Sequence, residues 1–130
     1  MQLALDQANE TALRRLGTEA TELLCSGQYT RLAQRFGYAL AFHREPAQAI
    51  KEDVKACLAQ TGALSFTSNV GHNVSITYYS QNEAGLFALV ACELGTDQGT
   101  NALLELAVTH IDTAAHVTLE QISILTMTTL

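Results

Sequence analysis

The chain has 130 residues, 48% hydrophobic and 15% charged, with one Pro and eight Gly. This suits a single domain over 1–130 that buries roughly two thirds of its unfolded surface, and it argues against a disordered tail or a need for metal or disulfide. The net charge is −6, and all seven basic residues precede residue 56, so the strand-rich half has no Lys or Arg to neutralise phosphates. That pattern argues against a nucleic-acid or anionic-membrane surface.

Leu5 to Cys25 predicts an amphipathic helix, with Leu5, Ala8, Ala12, Leu16, Ala20 and Leu23 on one stripe. Ser26-Gly27 ends it, because Gly27 takes a left-handed cap conformation without strain. A second helix follows from Tyr29 to Phe36. Tyr38–Phe42 leans towards a short strand through its larger side chains at 38, 40 and 42. Glu45-Pro46 opens a third helix, since Pro fits the first turn. Ile50, Val54, Cys57 and Leu58 form its buried stripe, and Arg44, Lys51 and Lys55 its exposed flank.

From Leu64 the period changes to two. Leu64–Asn69 predicts a short strand leaving through Gly71, and Val74–Tyr78 a half-buried one. Ser80–Gly85 is a polar turn. Leu86–Gly95, Asn101–Ile111 and Val117–Leu125 then predict three consecutive strands. Their short connections imply antiparallel hairpins. Helices first and an antiparallel sheet afterwards indicate α+β, with the helices packed on one sheet face.

The segment Ser26-Gly27-Gln28-Tyr29-Thr30-Arg31-Leu32 resembles the Gly-Asp-Tyr-x-x-Leu turn of the NTF2-like (cystatin-like) superfamily, with Gln28 in place of the usual acid. The order of elements is similar over nearly the whole chain. This resemblance implies a cone: three N-terminal helices on a curved antiparallel sheet, with a pocket between the concave sheet face and the helices. It also implies a homodimer through the outer sheet face. Lining candidates are Tyr29, Tyr38 and Phe42 from the helical half, and Tyr78, Val90, Cys92, Leu106 and Val108 from the sheet. The superfamily hosts both binding proteins and enzymes, so it fixes no reaction.

Pairing Gly95 with Asn101 and Ile111 with Val117 puts residues of like parity on one face. The even face is the more apolar and should meet the helices. It also carries His110 and Glu120, set diagonally, as a candidate general acid–base pair. The plainer alternative leaves His110 at a wet strand end and Glu120 in solvent. The odd face mixes Phe87, Leu89 and Leu103 with Glu93 and Glu105, which reads as a partner-facing surface.

Cys25, Cys57 and Cys92 are odd in number, far apart and without a CxxC, so reduced thiols are expected. No zinc, calcium or nucleotide motif is present, and no cofactor is implied. The N-terminus lacks the basic region and apolar core of a signal peptide, and no apolar run reaches the ~20 residues of a span. A cytoplasmic location without membrane association is the resulting expectation. Three functions stay open: a homodimer with an apolar pocket for a small ligand, an isomerase- or dehydratase-type enzyme, and a structural dimerisation module.

Overall fold

The computed structural model describes residues 1–67, 73–80 and 82–125. The order along the chain is β1 (Gln2–Ala4), a 3-10 turn (Leu5–Gln7), α1 (Glu10–Cys25), α2 (Tyr29–Phe36), α3 (Pro46–Ala59), β2 (Phe66–Thr67), β3 (Val74–Tyr78), β4 (Leu86–Thr96), β5 (Asn101–Ile111) and β6 (Ala114–Ile124). The strands form one antiparallel six-stranded sheet in the order β1-β6-β5-β4-β2, and β3 also pairs with β4. The helices lie on one face of it, so the α+β class is as the sequence predicts.

The first helix starts later than its periodicity suggests. Asn9 is extended at φ −89° and ψ 171°, and its side chain accepts from the Ala12 amide at 2.9 Å, which caps α1. Gln2–Ala4 instead pairs with the edge of β6, opposite Ala114–His116. Helical spacing cannot reveal a strand whose partner lies over a hundred residues away. Tyr38–Phe42 is also mostly not strand. Only Tyr38 bridges, in parallel, to Leu119 before the chain turns. Of the expected strand Leu64–Asn69, Phe66–Thr67 is observed; Ser68, Asn69, Gly71 and His72 lie outside the described residues.

The inner sheet face is fully packed. Val90, Leu94, Leu104, Leu106, Val108, Val117 and Leu119 have no exposed surface, and Leu13, Leu24, Leu32 and Ile50 cover them from the helices. Gly17 shows how closely α1 approaches. A Cβ there would lie 2.9 Å from Cys92 Sγ and 3.0 Å from Val90 Cγ1. A glycine in mid-helix therefore has a packing reason.

Two irregularities set the register of β6. The β5–β6 turn is tighter than expected: Asp112 takes φ 55°, and Ile111 pairs with Ala114 rather than Val117. This puts Ala115, Val117 and Leu119 on the inner face. A bulge between Glu105 and Leu106 then leaves Glu120 as the unpaired residue, and Ile122 returns to the inner face opposite Leu104. A second bulge, between Leu86 and Ala88, takes Phe87 out of the β4–β5 ladder. Phe87 packs against the core and meets the Tyr78 ring edge-on, with centroids 5.7 Å apart, instead of standing on the outer face.

Candidate functional site

The structure does not bring His110 and Glu120 together. His110 pairs with Ala115, and Glu120 lies five positions further along β6, about 17 Å away at ~3.4 Å per residue. Both side chains are exposed. The His110 ring bonds through Nε2 to the Asp112 carbonyl oxygen. It also lines a shallow cleft of about 520 Å³ with Leu5, Tyr79 and Phe87. The diagonal placement rested on a register that the tight turn and the bulge together undo.

The expected pocket wall divides in two. Val90, Cys92, Leu106 and Val108 do face the helices, but each is at most 1% exposed and is packed among other core side chains. Tyr78 and Phe42 stand largely in solvent, Phe42 at 71% exposure. Tyr29 is half-buried against the core. Burial pushes the Cys92 thiol up to about 11, and also raises Cys57 and Cys25, so none is primed as a nucleophile. Among the described residues, no cluster of three His, Cys, Asp or Glu side chains is placed to hold a metal ion. No helix among them is long and apolar enough to cross a membrane.

Only Tyr38 of the eight lining candidates sits in a polar network. Its hydroxyl donates to Asp53 Oδ2 at 2.5 Å. Arg44 donates to Asp53 from Nη1 at 3.0 Å and from Nη2 at 3.2 Å, and to Glu52 at 3.1 Å. Its Nε and Nη2 also bond the carbonyl oxygens of Ala41 and Leu40. All five guanidinium N–H groups are thus used, in the fork geometry only Arg supplies. Burial, and then the Asp53 hydrogen bond, raise Tyr38 well above the ordinary tyrosine range. The Arg44 hydrogen bonds hold Asp53 below the usual carboxylate range, against a smaller opposing effect of burial. Arg44 therefore clasps the α2–α3 connection onto α3 rather than forming an exposed flank. The clasp also fixes Phe42 and His43, which take left-handed φ values of 46° and 70°.

Asp53 and Arg44 were not legible as partners in the sequence. One signal existed. Pro46 fixes the helix start, so Asp53, seven residues on, stands two turns above it on the same side, within reach of Arg44. Beside the network lies a cleft of about 310 Å³ between α3 and the end of β6, lined by Tyr38, Leu40, Asp53, Cys57, Ile122 and Ile124.

Among the described residues, no element covers the opposite sheet face. Leu89, Ala91, Leu103 and Ala107 lie there beside Glu93, Glu105 and Gln121. Glu105 occupies the middle row, between Ala91 on β4 and Gln121 on β6. It is only 9% exposed, and its carboxylate accepts from the Gln121 amide. Glu93 accepts from the Asn101 amide at 2.7 Å. Among the described residues, every buried side-chain polar atom has a partner.

What fold and geometry define is a class: an α+β domain with a filled interior and one bare, acid-bearing sheet face. Comparison with protein-family models, with curated proteins and with solved structures finds no match to this chain.

Proposed function

We propose that this chain is an NTF2-like domain working as a self-association module, in which two copies join through the uncovered face of β3–β6. The observation carrying this reading is the contrast between the two sheet faces. The inner face is closed by its own side chains, while on the outer one Leu89 and Leu103 stay half-buried with no described element over them. Three strands of 11 residues and β3 with 5, at ~4.8 Å spacing and ~3.3 Å rise, give about 600 Å². That matches the lower end, ~600 Å² per partner, of a standard interface. Sedimentation velocity at micromolar concentration should show a dimer at pH 6; a monomer up to 100 μM, on the order of the weakest interfaces of this size, refutes the reading.

A second reading is favoured by the cleft between α3 and β6. Its apolar floor of Leu40, Ile122 and Ile124 beside the Tyr38–Asp53 pair suits a small amphipathic molecule. Chemical-shift perturbation by p-cresol at Ile122 and Ile124 tests it, and unmoved signals at both refute it.

A further inference from the structure

We propose that closing this face against a second copy takes up protons at Glu105, so that the dimer tightens as pH falls. The proposal rests on the self-association reading above. Its grounds are position and charge inventory. Glu105 stands in the middle row of the central strand, already screened from solvent in the single chain. Any face-to-face arrangement with its axis near the centre of the face therefore brings Glu105 and its copy into the dry middle of the interface. A carboxylate closed off from water keeps its charge only with a cation or several donors beside it.

Neither copy places a Lys or Arg there. All seven Lys and Arg precede residue 56, and the six carboxylates after it have none among them. Arg14 reaches the sheet only at the β3 edge, where it holds the Val74 carbonyl. Facing Glu105 from β4 are Ala91, Leu89 and Glu93, and from β6 Gln121, Ser123 and the bulged Glu120; β3 adds Ser75 and Thr77. Among the described residues, the titratable groups on this face besides Glu105 are Glu93, Glu120 and His116, the last opposite Thr109 and five positions from Gln121. The donor Glu105 does have, the Gln121 amide, is a single neutral one. The remaining way to relieve the charge is a proton, held by each Glu105 or shared between the two.

Proton uptake sets the slope of log Kd against pH, at about tenfold per pH unit for each proton bound on association. One shared proton gives tenfold tightening per unit, and two give a hundredfold. Sedimentation equilibrium from pH 7.5 to 5.5, above the pI of 5.0, measures it in 0.15 M and 0.5 M NaCl. The higher salt screens the general repulsion between two chains of net charge −6 but leaves a buried group untouched. The expected result is a tenfold to hundredfold fall in Kd per unit in both salts. Glu105→Gln should bind more tightly at pH 7.5 with a flat profile, and His116→Gln should keep the slope. Dilution calorimetry of the unmodified chain in two buffers of different ionisation enthalpy counts the protons without a variant. A dimer whose Kd ignores pH, whose slope vanishes at high salt, or whose slope survives Glu105→Gln overturns proton uptake at Glu105 and leaves self-association standing. A monomer throughout, Glu105→Gln included, overturns both.

Discussion

Removing the Tyr38 hydroxyl isolates one interaction in the clasp that joins α2 to α3. Tyr38→Phe keeps a ring that is 8% exposed and deletes only the bond to Asp53. A hydrogen bond to an ionised group contributes about 1.5–3 kcal/mol. Asp53 keeps both Arg44 contacts, at 3.0 and 3.2 Å, so the carboxylate is not stranded and the lower end applies. The expected loss is therefore about 1.5 kcal/mol. With an unfolding entropy near 2.1 cal/mol/K per residue, that corresponds to about 5–6 °C in Tm. Urea unfolding followed by circular dichroism, at one fixed protein concentration, measures it. Asp53→Asn supplies the other arm of a double-mutant cycle, with an expected coupling of about 1 kcal/mol. A Tyr38→Phe cost below ~0.5 kcal/mol, with no coupling, would refute the clasp as a stabilising element.

Gly17→Ala gains about 1 kcal/mol of helix propensity but forces a Cβ against Cys92 and Val90, where overpacking costs about 1–3. A net loss of about 1 kcal/mol is expected by the same unfolding assay, and a stabilised variant would mean that α1 can shift outward. Asp53 is held low in the folded state, so its contribution is present above the unfolded carboxyl value, ~3.9, and lost as pH falls through the folded one. The stability gap between the wild type and Asp53→Asn should therefore be constant above pH 5 and shrink below pH 4; a gap widening in acid contradicts this sign. Tyr38 is raised, so its hydroxyl stays protonated when an ordinary tyrosine ionises near ~10. Burial raises Tyr29 as well, so absorbance at 295 nm should show a late-titrating fraction, and Tyr38→Phe should remove its latest step. Leu103→Lys places a charge on the outer sheet face opposite Glu93 and diagonal to Ala91; sedimentation should then show monomer with an unchanged Tm at low concentration, and an intact dimer argues for another interface.

Periodicity alone located α2, α3 and the three long strands to within about three residues, because each buries one face and must repeat its apolar residues at its own period. The charge division was equally plain, and it already showed that only a histidine or a residue arriving from the helices could neutralise a sheet carboxylate. Only the tertiary structure decided where β1 goes, since its partner is at the other end of the chain. It alone decided the fate of Glu120. A tight turn that moves the pairing by three residues and a bulge that moves it by one each exchange the two faces of a strand, because both shifts are odd, and hydropathy fixes register only when the ladder is regular. The Tyr38–Asp53–Arg44 clasp spans a loop with two left-handed residues, Phe42 and His43, a conformation their side chains do not favour, and Arg44 ties that loop at Leu40 and Ala41 to Asp53 on α3.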